Sequence, residues 1–251
     1  MASSSLRIAL PASRTGLEML IVAHRGNLRR APENSLAGFR QAIEEGADLL
    51  ETDLRLTAEG RFICFHDATL ERTTDRSGRV ERLTLDEVKG ATLRQGGKPA
   101  RGERVPTLEE LVAVLPGDVA LALELKSPKF DDPATCRELV RKMEQLGVRE
   151  RVIVLAFSAR RLRNLRREGR GIPCGHVRFV PWPGNEFELL GPPGPLLKIH
   201  PPFVRKAHER GIIVCPLDTN PDRSIPFYRR LGVDALITDD PASTIAALRR
   251  G

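Results

Sequence analysis

Leu50-Glu51-Thr52-Asp53-Leu54 and Phe62-Ile63-Cys64-Phe65 are two β-like runs separated by little more than a turn at Ala58-Glu59-Gly60. A parallel crossover needs about a dozen residues, so the second run is predicted to fold back on the first as a hairpin. Elsewhere, strand-like runs alternate with helical patterns. Strands are expected near 20–24, 48–55, 119–125, 152–156, 173–178, 195–199, 212–216 and 234–237, with helices near 34–45, 107–115, 133–146, 159–168, 202–210, 222–231 and 241–250. Eight strands in single file with helices between them predict an α/β fold, a (β/α)8 TIM barrel. The hairpin follows strand two, and a small insertion at about 67–106 is expected to pass over one barrel end. Residues 1–18 read as an N-terminal extension without clear periodicity, dispensable up to residue 17, and 19–251 as a single barrel domain.

Ionisable residues gather where the apolar runs end. His24-Arg25-Gly26, Glu51-Thr52-Asp53, His66-Asp67 and Glu124-Leu125-Lys126 each close such a run. Side chains alternate along a strand, so Glu51 and Asp53 share one face while Leu50, Thr52 and Leu54 share the other. In Leu121-Ala122-Leu123-Glu124-Leu125-Lys126 the same alternation sets Glu124 and Lys126 against the leucines. Both carboxylate faces are predicted to point inward, and the hairpin brings His66 roughly across from Thr52 or Asp53. Isolated buried charges cost several kcal/mol. Their convergence therefore predicts a metal-assisted active site. Three hard oxygen donors suit Mg²⁺ or Ca²⁺, with Mn²⁺ also admissible, better than zinc. Two histidines beside such an ion suit acid–base cleavage of a phosphodiester, and Arg25 and Lys126 add positive charge for the phosphate.

Composition narrows the alternatives. The formal charge of +7 is carried mostly by scattered arginine, with seven lysines in 251 residues. The densest stretch, Arg160 to Arg170, lacks interleaved aromatics and reads as a solvated helix face, so no nucleic-acid partner is expected. Cys64, Cys136, Cys174 and Cys215 form no Cys-x-x-Cys pair, which fits a reducing compartment. No apolar run is long enough for a signal-peptide core or a spanning helix, so stable membrane insertion is not expected and the location is read as cytoplasmic.

The ordered motifs resemble the glycerophosphodiester phosphodiesterase family in its cytoplasmic bacterial type. His24-Arg25-Gly26, Pro32-Glu33-Asn34-Ser35, Gly46-Ala47-Asp48, Glu51-Thr52-Asp53, His66-Asp67, Pro106-Thr107-Leu108, Glu124-Leu125-Lys126 and Gly232 to Asp239 carry the resemblance. It implies a barrel that hydrolyses glycerophosphodiesters, its small-molecule substrates, to sn-glycerol 3-phosphate and an alcohol. Glu51, Asp53 and Glu124 are then the metal ligands, and His24 and His66 the acid–base pair. Arg25 and Lys126 face the phosphate, and Glu33 and Asn34 support the site. Two stretches depart from the family pattern: Ala156-Phe157 stands for the usual Ser-Phe, and Leu217-Asp218-Thr219-Asn220 for the usual Trp-Thr-x-Asn. These positions ordinarily lie near the glycerol or alcohol, which makes Phe157 and Asp218 candidate substrate contacts. Trp182, in a Pro/Gly-rich loop, is a candidate to cover the mouth. The competing readings are a related barrel phospholipase acting on lysophospholipids or phosphoinositides, and a non-catalytic phosphate-binding barrel.

Overall fold

The computed structural model describes residues 13–179 and 183–250; Trp182 and residues 1–12 lie outside them. In chain order the elements are β1 (Leu20–His24), α1 (Leu36–Glu44), β2 (Leu49–Leu56), β3 (Phe62–Cys64), α2 (Leu85–Lys89), β4 (Thr92–Gln95), β5 (Lys98–Arg104), α3 (Leu108–Ala113) and β6 (Ala120–Leu125). There follow α4 (Pro133–Gln145), β7 (Val152–Ala156), α5 (Ala159–Glu168), β8 (Cys174–Val177), β9 (Leu189–Gly191), α6 (Gly194–Ile199), α7 (Pro202–His208), β10 (Ile213–Val214), α8 (Ile225–Leu231), β11 (Ala235–Thr238) and α9 (Pro241–Arg250).

Eight parallel strands lie in the order β10-β9-β8-β7-β6-β2-β1-β11, with β3 paired antiparallel to β2. Where β10 and β11 meet, the Asp234 N–H donates to the Val214 carbonyl at 3.0 Å. The Asp234 carboxylate in turn accepts from the Val214 N–H at 2.7 Å. The barrel is nearly closed, as the alternation of strands and helices predicts. Its interior below the rim holds Leu20, Val22, Leu49, Ala120, Ile153, Leu189, Ala235 and Ile237, small or branched residues that fill the narrow space as a packed layer. The alternate residues of the same strands, such as Ile21, Leu50, Leu54, Leu121 and Leu123, face outward into the larger core beneath the helices.

The expected strand at 195–199 is a correction: that stretch is α6, and the sixth barrel strand is β9, six residues earlier. Gly191-Pro192-Pro193-Gly194-Pro195 explains the exchange. Two consecutive prolines remove the ladder donors and end the strand, while a proline in the first turn suits a helix start. β10 is also shorter than the expected 212–216.

The hairpin forms with register Leu54↔Cys64 and Leu56↔Phe62. The insertion carries its own antiparallel pair, β4 with β5, and a separate small core of Ile63, Phe65, Leu70, Val80, Val88, Ala91, Leu93 and Val105. Among the described residues of the leader, Arg14 is tied to the barrel bottom. Its N–H donates to Asp48 Oδ1 at 2.5 Å, and its Nη1 donates to the carbonyls of Ile43 and Ala47 at 3.0 Å each. Leu17 packs on the core. From residue 13 onward the leader thus contacts the barrel bottom.

Candidate active site

The register of adjacent strands sets the site residues side by side. His24 on β1 is level with Glu51 on β2, and Asp53 is level with Glu124 on β6. His24 ends β1 and Glu124 lies next to the end of β6, with Lys126 just past it. Glu51 and Asp53 are level with them on β2, which runs on beyond the rim into the hairpin. Glu51, Asp53 and Glu124 each offer a carboxylate oxygen within 4.8 Å of the others, and all three are buried. Burial, with repulsion from Asp53 and Glu124, holds Glu51 well above the usual carboxylate range. Burial raises Glu124 too, against the pull of Lys126.

Two cations only partly offset this charge. Lys126 Nζ lies 2.8 Å from Glu124 Oε1 and 3.5 Å from Asp53 Oδ1. Arg25 Nε lies 3.0 Å from Asp53 Oδ2, close enough for an ion pair but not aligned for a hydrogen bond. Asp53 Oδ1 is buried and accepts no hydrogen bond. A buried acceptor left unpaired costs about 1–3 kcal/mol, more when charged. An orphaned carboxylate oxygen inside a triad of oxygen donors is the environment a hard divalent cation stabilises, so the residues fit such an ion.

The loop after β1 is shaped by two non-glycine residues in the left-handed region, Arg25 and Asn34, both at φ 54°. This turn lets the Arg25 N–H donate to both Glu51 O and Glu51 Oε2, at 3.0 and 3.1 Å. Gly26, at φ 86°, lies against α1, and a Cβ there would come within 2.6 Å of the Gly38 carbonyl carbon. The motif needs glycine for space as well as for φ. Asn34 is wholly built in: its Nδ2 donates to Asp53 Oδ2 at 3.0 Å, and its Oδ1 accepts from Thr52 Oγ1 at 2.7 Å.

Both histidines are held through Nδ1. His24 Nδ1 is 2.8 Å from Asp239 Oδ1, and His66 Nδ1 is 2.6 Å from Asp67 Oδ1. Each carboxylate orients its ring through Nδ1 and leaves Nε2 outside that contact. His66 arrives as the hairpin register requires, since the Phe65 N–H donates to the Asp53 carbonyl at 2.8 Å and continues the ladder. The buried Arg55 donates to the His66 carbonyl at 2.8 Å. Glu33 accepts from Arg25 Nη1 and from Arg72. Although burial opposes it, the Arg72 hydrogen bonds and the Arg25 charge bring Glu33 below its ordinary pKa.

The remaining candidates flank this cluster. Phe157 is 46% exposed and stacks on Phe179 with centroids 5.9 Å apart, while Lys126 Nζ lies 5.3 Å from its centroid. Asp218 accepts from the Tyr228 hydroxyl at 2.7 Å and from the Asn220 N–H at 3.3 Å. Its neighbours Thr219 and Asn220 donate to Asp239, the partner of His24. Sequence reasoning missed the roles of Asp239, Arg55 and Arg72. Asp239 directly follows the last barrel strand, as His66-Asp67 follows the hairpin, which is a usable signal; the two arginines carry none beyond their charge.

Three arginines of α5 are engaged with nearby acids. Arg161 pairs with Asp131, Arg163 with Glu186 and Arg166 with Glu188. Among the described residues no helix is long and apolar enough to cross a membrane.

Residues 24–182 match the glycerophosphoryl diester phosphodiesterase family. A glycerophosphodiester phosphodiesterase of Caldanaerobacter subterraneus subsp. tengcongensis is 32% identical over 94% of this chain and 100% of its own length. Among solved structures, a glycerophosphodiester phosphodiesterase from Agrobacterium tumefaciens superposes with a TM-score of 0.76 at 25% identity, over 91% of this chain and 99% of its own. An Oleispira antarctica phosphodiesterase, in complex with the product sn-glycerol-3-phosphate, superposes with a TM-score of 0.79 at 24% identity, over 92% of this chain and 96% of its own.

Proposed function

Because the chain belongs to the glycerophosphoryl diester phosphodiesterase family, we propose that it is a metal-dependent enzyme that splits glycerophosphodiesters into sn-glycerol 3-phosphate and an alcohol, with His24 and His66 moving the proton. The observation that supports this most is the placement of two imidazoles, each tethered at Nδ1 by a carboxylate, on the rim that carries the acidic triad. One imidazole accepts the proton of the attacking oxygen as the new P–O bond forms. The other delivers a proton to the alcohol oxygen as its P–O bond breaks.

Glu51, Asp53 and Glu124 are the residues that would hold the ion, which supplies charge neutralisation at the phosphoryl oxygens. Mg²⁺ and Ca²⁺ suit an all-oxygen donor set, and Mn²⁺ is compatible with it. Arg25 and Lys126 present positive charge to the phosphate, arginine as a fork and lysine as a point charge. Phe157 and Asp218 are then contacts of the substrate's glycerol or alcohol, while Glu33 and Asn34 hold Arg25 and Asp53 in place.

Glycerol 3-phosphate release from glycerophosphoethanolamine, measured after EDTA treatment and after adding back Mg²⁺, Mn²⁺ or Ca²⁺, tests the reaction and the metal together. His24→Ala and His66→Ala are each expected to lower kcat by about 10² to 10⁴. A near-wild-type rate in either variant removes that histidine from the reaction. Full activity in EDTA removes the metal.

A further inference from the structure

Early in the insertion, five residues after Asp67, lies Arg72, whose side chain is half exposed. Its guanidinium forks onto two carboxylates at once. Towards Glu33, Nη1 donates to Oε2 and Nη2 to Oε1, both at 2.8 Å. Towards Asp67, Nε donates to Oδ2 at 2.5 Å and Nη2 to Oδ1 at 3.0 Å. Asp67 Oδ1 is also the atom that holds His66 Nδ1. Glu33 Oε1 is also the atom that accepts from Arg25 Nη1. One side chain thus closes a chain of contacts running Arg25, Glu33, Arg72, Asp67, His66.

We propose that Arg72 is a positioning residue for His66: it fixes the Asp67 carboxylate and ties the segment carrying both to the loop after β1. The proposal rests on the reading of His66 as a proton-transfer group. Its physical ground is that Asp67 follows the last hairpin residues and has no barrel strand of its own to orient it. A carboxylate on a free loop would sample several rotamers, and His66 would turn with it. A bidentate arginine removes that freedom, because a planar fork sets direction as well as distance. Lysine cannot substitute, since a single ammonium has no planar fork with which to orient both carboxylates. Since Arg72 is half exposed, its contribution is geometric more than Coulombic, water screening the charge.

A structural role for Arg72 in holding the insertion predicts something different, and the test separates the two. Arg72→Ala is expected to lower kcat about tenfold with KM little changed, the scale of losing a residue that orients a functional histidine. Arg72→Lys should recover little of that loss, and guanidinium added to Arg72→Ala should recover more. The deciding measurement is the same substitution in a His66→Ala background. Positioning through His66 predicts no further loss there, because the group being positioned is gone. A further tenfold loss in that background, or a wild-type kcat for Arg72→Ala alone, overturns the proposal. A wild-type rate for His66→Ala overturns instead the reading on which it rests. If Arg72→Ala fails to fold, Asp67→Asn with and without His66→Ala gives the same comparison.

Discussion

The Asn34 side-chain amide donates to Asp53 Oδ2 at 3.0 Å from a backbone held at φ 54°, so a strained loop residue orients the most deeply buried carboxylate of the rim. A left-handed non-glycine residue costs on the order of 1–3 kcal/mol and persists where the surroundings impose it. Here Thr52 Oγ1 and the Asp53 carboxylate impose it from both ends of one amide. Asn34→Ala is expected to weaken divalent-cation binding about 10- to 100-fold, the range for partners that orient metal ligands. Calorimetric titration of Mn²⁺ into the variant checks this; unchanged affinity would leave Asn34 with the loop alone.

Glu51 gives a prediction of opposite sign for stability and for activity. Its folded pKa is raised above the ordinary 4.5 by burial and by its acidic neighbours. Between that value and the raised one, the folded protein binds more protons than the unfolded chain, so metal-free stability falls as pH rises through the window. Glu51→Gln removes the effect. Thermal melts in EDTA at pH 7 should place the variant above wild type, by on the order of 2–4 °C for each kcal/mol relieved. The gap should vanish near pH 4, and the variant should be inactive. A variant that melts below wild type in EDTA would show that Arg25 and Lys126 already neutralise the triad.

Gly26 and Gly60 share a left-handed φ, at 86° and 79°, but differ in surroundings. A Cβ at Gly26 would meet the α1 backbone at 2.6 Å, whereas Gly60 has nothing within 4 Å. Gly60→Ala is expected to cost only the conformational term, about 1 kcal/mol. Gly26→Ala adds displacement of a helix backbone and should cost clearly more. It should also lower activity, since Arg25 precedes it. Chemical denaturation of the pair decides, and equal losses would mean that α1 yields freely.

How much of this was legible beforehand follows from what each segment must satisfy. The alternation that sets Glu51, Asp53 and Glu124 against leucines is a period that burial enforces on both faces, and the triad stands where it predicts. The hairpin followed from the shortness of its link. What failed was local. In 189–199 a leucine pair lies on each side of the run Gly191 to Pro195, and hydrophobicity alone does not say which pair the prolines leave in the sheet. Arg72 and Arg55 were illegible because an arginine's partners depend on tertiary placement, and nothing in the chain around them marks those partners.

Arg14 anchors the bottom of the barrel, opposite the rim. Besides the Asp48, Ile43 and Ala47 contacts, its Nε pairs with Asp118 at 2.8 Å. Removing the side chain strips donors from two carbonyls, at about 1–2 kcal/mol in all. Arg14→Ala, and more so deletion of residues 13–18, should lower the melting temperature while kcat stays at the wild-type value. A changed kcat would mean that disorder at the bottom reaches the rim.

Asp218 carries the last prediction, on alcohol preference. Its two oxygens accept from Tyr228 and Asn220, which fix the carboxylate in place without removing its charge. Beside it, Thr219 and Asn220 lead to Asp239 and His24, so the charge lies on the flank of the proposed proton-transfer group. A cationic alcohol such as choline or ethanolamine approaching that flank gains Coulomb attraction of about 1 kcal/mol in water-like screening, rising to about 4 where the surroundings are drier. The ratio of kcat/KM for glycerophosphoethanolamine over glycerophosphoglycerol is therefore expected to fall several-fold in Asp218→Asn. An unchanged ratio with a lower melting temperature would assign Asp218 to holding Tyr228 and nothing else. A ratio change that disappears at high salt would instead point to long-range attraction, since screening acts on distant charges before it acts on contacts.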